Sequence, residues 1–165
     1  MLRVFCVGTL AVTVEDLYFL DPDPAPGQDG PERGIRVEMR ILEPQPHRGT
    51  IYAAQPIVAD QAVWRADFLE SVDRGPGSKD RMHYHPAMAD SEPGRRVFAR
   101  DLTADPMTWL EGQLADPEAL LTAAGISAEP HKPAADALRA ALPEIIGAAT
   151  ATLEGVRAGR LAVAP

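Results

Sequence analysis

The clearest pattern in the chain is the alternation of Ile35, Val37, Met39 and Ile41 with Arg36, Glu38 and Arg40. Successive side chains of a strand point to opposite faces, so this segment predicts a strand with one apolar face and one charged face. Trp64, Ala66 and Phe68 alternate with Arg65 and Asp67 in the same manner and predict a second such strand. Thr50 to Val58 predicts a strand between the two, and the short link to Gln61 suits a hairpin. Pro56 confines that strand to an edge or a bulge, because proline has no N–H to give to a ladder. The opening segment, with its β-branched Val4, Val7, Val12 and Val14, predicts a buried first strand. Cys6 reads there as a small core residue. Arg96 to Leu102 supplies a further strand.

Beyond about residue 102 the chain turns Ala- and Leu-rich, which favours helix. Asp105 before Pro106, and Asp116 before Pro117 and Glu118, each place an N-cap acceptor ahead of a proline at the first helical position. Gly125 suits the left-handed position that ends a helix. From Pro133 onward, Leu138, Leu142, Ile145, Ala149, Leu153 and Val156 form one apolar stripe, which Pro143 is expected to kink or divide. That stripe covers the β part or, alternatively, forms the seam of a homodimer. Trp109 is placed to dock the first helix. Asp21 to Gly34 and Ser71 to Gly94 read as long loops.

The fold expected is therefore α+β, with an antiparallel β-barrel or sandwich over residues 1–102 and C-terminal α-helices over 103–165. A chain of 165 residues and 17.7 kDa fits a single domain, 1–165. The balance of 16 basic against 24 acidic side chains, net −8, opposes attraction to nucleic acid and to anionic membrane surfaces, so neither is an expected partner. One cysteine cannot form an internal disulfide, and Glu15 and Asp16 follow the opening apolar run with no small-residue cleavage site. Both features point to the cytoplasm.

Chemistry is concentrated in Met82-His83-Tyr84-His85-Pro86. On an extended backbone residues two apart share a face, so the imidazoles of His83 and His85 can reach one ion. A third ligand is needed, and Asp90, five residues on, is the preferred acid, with Asp80 and Glu92 as competitors. His47, in a turn-forming PQPHRG segment, is a possible fourth ligand; His131 lies apart among the helices. Arg74, Lys79, Arg81, Arg95 and Arg96 surround the pair, nearly cancelled by Asp73, Asp80, Asp90 and Glu92.

The spacing of Gly77, His83, His85 and Asp90 resembles the first metal motif of the cupin superfamily. That resemblance implies a β-barrel in which His83, His85 and Asp90 hold the metal and Gly77 makes the turn. Asp90 stands where the family usually has Glu, and no second motif is visible after Arg100. The function expected is a cupin-like metal-binding protein, a metalloenzyme acting on a small polar metabolite, with Zn, Fe, Mn or Ni as the divalent transition metal. The alternative is a metal-free small-molecule-binding module or homo-oligomeric assembly module without catalysis.

Overall fold

A hairpin of β1 (Leu2–Val7) and β2 (Leu10–Phe19) begins the fold, turning at Gly8, whose φ of 61° suits a residue without a Cβ. It is followed by β3 (Glu32–Ile41), β4 (Glu43–Pro44), β5 (Ile57–Val58), β6 (Ala62–Ser71), β7 (His83–His85), β8 (Met88–Ala89) and β9 (Glu92–Pro93). Among the described residues four α-helices follow: α1 (Arg100–Ala104), α2 (Pro106–Leu114), α3 (Pro117–Ala123) and α4 (Lys132–Arg157). The computed structural model describes all residues except Ala25, Asp60 and 163–165.

The long strands form one antiparallel sheet in the order β1-β2-β3-β6-β7. Separate two-residue ribbons, β4 with β5 and β8 with β9, flank it. Among the described residues the sheet stays open, with β1 and β7 at its edges, instead of closing as a barrel. The physical reason lies in the second half of the chain. A sheet needs a cover for its apolar face, and here helices provide it. Val12, Val14, Ile35, Val37, Met39, Trp64, Ala66 and Phe68 are all fully buried in one core with Leu138, Ile145, Ala149 and Leu153 of α4. The helical stripe thus packs on the sheet of its own chain.

Both proline-led helix starts are capped as their sequences require. Asp105 accepts from Thr108 N at 3.3 Å and Asp116 from Ala119 N at 3.1 Å. Trp109 docks α2, with its ring 6.1 Å from Trp64 and 5.1 Å from Tyr84. At the far end of α4, Arg157 bonds the buried carboxylate of Glu70 on β6, fastening the helix to the sheet. No helix among the described residues is long and apolar enough to cross a membrane.

Several local expectations are corrected. Of Thr50 to Val58 only the last two residues are strand, and Ile51 and Tyr52 are exposed; the prolines and glycine around them leave too few consecutive donors for a ladder. Within Arg96 to Leu102, Val97 makes a single bridge to Tyr84, and α1 begins at Arg100. Cys6 is exposed, because β1 is an edge strand that turns Phe5 and Val7 to the core and Cys6 the other way. Pro143 lies inside α4 without dividing it.

The opposite face of the sheet has no helical cover and carries the charges. Arg36 Nε donates to Asp67 Oδ1 at 2.7 Å, and Glu38 accepts from Arg65 Nε at 2.6 Å and Arg40 Nε at 2.8 Å. Glu38 and Asp67 are nonetheless buried, because guanidinium stems lie over them. This charged lattice supports the site.

Candidate metal centre

His83 and His85 occupy the ends of β7, and their register places His83 opposite Asp67 and His85 opposite Arg65 on β6. Tyr84 between them points to the helical face, where it meets Trp109, and its backbone is clamped by Val97 on the other side at 3.0 and 2.9 Å. The alternation of β7 thus turns both imidazoles onto the charged face of the sheet. All three side chains are buried: Asp67 is 2% exposed, His83 6% and His85 4%. Their ligand atoms lie within 4.8 Å of one another.

The hydrogen bonds fix which nitrogens face inward. His83 Nδ1 lies 2.8 Å from the Arg81 carbonyl, and His85 Nδ1 lies 2.8 Å from the Gly94 carbonyl. A carbonyl only accepts, so each Nδ1 carries the proton. In a neutral ring, Nε2 then presents a lone pair. Those two Nε2 atoms sit 3.4 and 3.6 Å from the same oxygen, Asp67 Oδ2. Three ligand atoms therefore converge on one point, where a metal ion or a proton on either ring can be shared among them. An N–H···O bond would draw its atoms to about 2.7–3.2 Å. Ligands on a tetrahedral ion with bonds of about 2.0–2.1 Å stand roughly 3.3–3.4 Å apart, close to the two separations from Oδ2.

Burial pushes the Asp67 carboxyl up, but His85, Arg36 and His83 together outweigh it and hold Asp67 below the ordinary carboxylate range. Burial pushes His83 below the ordinary imidazole value, which favours the neutral ring. The second carboxylate oxygen, Oδ1, is spent on Arg36, leaving Oδ2 as a single ligand atom. Donation of each Nδ1–H to a backbone carbonyl is the outer support typical of metal-ligating histidines. Phe98 closes one side, with its ring 5.6 Å from that of His83.

The approach to β7 is shaped by Asp80, whose Oδ1 accepts from Ser71 N at 3.0 Å and Ser78 Oγ at 2.7 Å. Gly77 makes the turn at a φ of 87°, and its N–H bonds Glu70 at 2.8 Å. Burial pushes Asp80 up, but the Ser71 and Ser78 bonds prevail and its pKa is lowered. A carboxyl depressed on folding contributes stability above its unfolded pKa and loses it as pH falls through the folded value. Asp80→Asn is therefore expected to cost about 1–2 kcal/mol at neutral pH, with the gap to wild type closing below about pH 4. Denaturant titrations across pH measure this, and a gap that persists in acid contradicts it.

Of the residues expected from sequence, the fold brings His83 and His85 together and leaves Asp90 and His47 apart from them. Asp90 is exposed in the turn between β8 and β9, at a φ of 50°. His47 is exposed, with Nε2 donating to the Thr50 carbonyl at 2.7 Å. His131 meets Thr9 Oγ1 at 2.7 Å, far along the chain from β7. Asp80 organises its own loop, and Glu92 is exposed. The acid that joins the pair is Asp67, which sequence reasoning passed over as one of the polar positions between Trp64 and Phe68. The signal was present, since Asp67 alternates with fully apolar neighbours and so shares a face with whatever β7 presents. Comparison of the chain with protein-family models, with curated proteins and with solved structures gave no match.

Proposed function

We propose that this chain is a metal-binding protein whose centre is Asp67, His83 and His85, holding one divalent transition ion. The observation that carries the reading is the convergence of two Nε2 lone pairs and one carboxylate oxygen, with both Nδ1 protons already committed to carbonyls. Two imidazoles and one carboxylate suit Zn, Fe, Mn and Ni, and the two separations from Oδ2 are compatible with Zn2+. The expected cupin-like ligand set keeps its histidine pair here, while the acid comes from the neighbouring strand.

Three protein ligands leave a coordination position for water or substrate, the arrangement of catalytic rather than structural zinc sites. A bound ion supplies Lewis acidity and lowers the pKa of a coordinated water. The residues of the chain do the rest. Asp67 and the two histidines set the geometry, Arg36 holds the carboxylate in single-oxygen contact, and Phe98 limits solvent beside His83. On this reading the protein is a metalloenzyme for a small polar metabolite.

The test is elemental analysis of protein purified without a His tag, followed by reconstitution of the metal-free chain. Zn2+ at a hundred times its Kd is expected to add about 2.7 kcal/mol of stability. For a chain of this size that raises Tm by roughly 5–10 °C. Absence of stoichiometric metal, with no thermal shift from Zn2+, Fe2+, Mn2+ or Ni2+, overturns the proposal.

A further inference from the structure

The charges around the centre leave a bound ion unbalanced. On the exposed side of the sheet Arg36 is paired with Asp67, and Arg65 with Glu38. The first pair sums to zero, and Glu38, which Arg40 also bonds, leaves one positive charge. Imidazoles that ligate an ion are neutral, so a divalent ion among these buried groups keeps its two positive charges uncompensated. A low-dielectric site of that kind draws in an anion. The same two arginines have the means to hold one. Arg36 spends only Nε on Asp67, and Arg65 only Nε on Glu38; the terminal nitrogens of both have no partner among the described residues. Their side chains are 27% and 13% exposed, so neither is sealed away from an arriving solute. Arg65 stands directly opposite His85, and facing residues of an antiparallel pair have Cβ atoms roughly 4.5–5.5 Å apart. A guanidinium is also the side chain best suited to the planar fork of a carboxylate or the oxygens of a phosphate.

Resting on the metal reading above, we infer that the exogenous ligand of this centre is a small oxyanion, a carboxylate or a phosphate. One oxygen takes the open position on the ion, and the outer oxygens accept from the terminal N–H groups of Arg65 and Arg36. The substrate class is accordingly a small organic acid or phosphate ester. Arg65 is the discriminating residue, because its side-chain bond goes to Glu38 and not to a metal ligand, whereas Arg36 also holds Asp67.

The experiment uses protein loaded with Co2+, whose visible absorption reports a change of ligand, with metal content measured before and after each titration. Succinate and inorganic phosphate are the two probes, and metal-free protein is the control. Expected is a saturable spectral change with one or both anions in loaded protein, none in metal-free protein, and binding weakened about tenfold or more in Arg65→Gln at unchanged Co2+ content. Arg65→Lys, which keeps the charge but loses the fork, is expected to fall between wild type and Arg65→Gln. A spectral response to succinate alone assigns a carboxylate, and a response to phosphate alone assigns a phosphate. Loaded protein that responds to neither anion overturns this inference and leaves the metal centre standing. So do Arg65→Lys and Arg65→Gln variants that bind as tightly as wild type. Failure to load Co2+ at all overturns the metal reading itself, and this inference with it.

Discussion

Asp67→Asn is expected to lower divalent-metal affinity about a hundredfold or more while leaving the metal-free fold intact. The magnitude follows from the donor set. Outer-sphere partners alone are worth about ten- to a hundredfold in affinity, and on the proposed reading Asp67 is an inner ligand that also carries the negative charge. The direction of the stability change is less intuitive. In the metal-free protein Oδ2 stands 3.4 and 3.6 Å from the two Nε2 atoms, longer than a good hydrogen bond to either. An asparagine amide can donate there, and its oxygen can still accept from Arg36. The metal-free variant is thus expected to melt within a few degrees of wild type, yet to lose the rise in Tm that Zn2+ produces. His83→Ala and His85→Ala are expected to lose that rise as well. Asp90→Asn, by contrast, is expected to retain it, because Asp90 lies exposed on the β8–β9 turn. Calorimetric titration and thermal melts of the four variants measure these outcomes. An Asp67→Asn protein that still binds Zn2+ with wild-type affinity contradicts the site, and loss of binding in Asp90→Asn would restore the acid that follows the histidine pair in sequence.

That contrast shows where sequence was legible and where it was not. Period-2 alternation identified β3 and β6, because a sheet with one helical and one charged face writes itself into every second residue. The capped helices were legible for a similar reason, since Asp-Pro pairs act locally. The histidine pair was legible because spacing by two is meaningful on any extended backbone. The third member of the cluster was not, because Asp67 and His83 are joined only by the pairing of β6 with β7, and register between strands is a tertiary property. β7 itself was hidden inside a loop-like stretch rich in Gly and Asp, where three residues are too few to show a period. Open sheet against closed barrel was equally beyond local pattern. The choice depended on α4 taking the apolar face, and an amphipathic stripe does not state what it will cover.

Gly34 carries the same lesson into energetics and yields the largest expected loss of stability. In sequence it closes a run of Pro, Gly and Asp and reads as the end of a loop; in the fold it is the third residue of β3, paired with Leu69 of β6. A Cβ at Gly34 would stand 2.0 Å from the Phe68 carbonyl oxygen and 2.8 Å from Leu69 Cα. Both obstacles are backbone, so no side-chain rotation relieves them, and β3 and β6 have to separate. Overpacking in a well-packed interior usually costs 1–3 kcal/mol, and a backbone obstruction belongs at or above the top of that range. Gly34→Ala is thus expected to destabilise the protein by about 3 kcal/mol or more, lowering Tm by roughly 6–12 °C. The displaced strand carries Asp67, so the thermal shift from Zn2+ should shrink as well. Gly112 in α2 provides the opposite case. A Cβ there meets nothing within 4 Å, and Gly112→Ala is expected to stabilise by about 0.4–1 kcal/mol through helix propensity and a less disordered unfolded chain. Denaturant unfolding of the two variants beside wild type decides the matter. Equal stability of Gly34→Ala and wild type would mean that β3 and β6 are not held as close at Gly34 as this sheet places them.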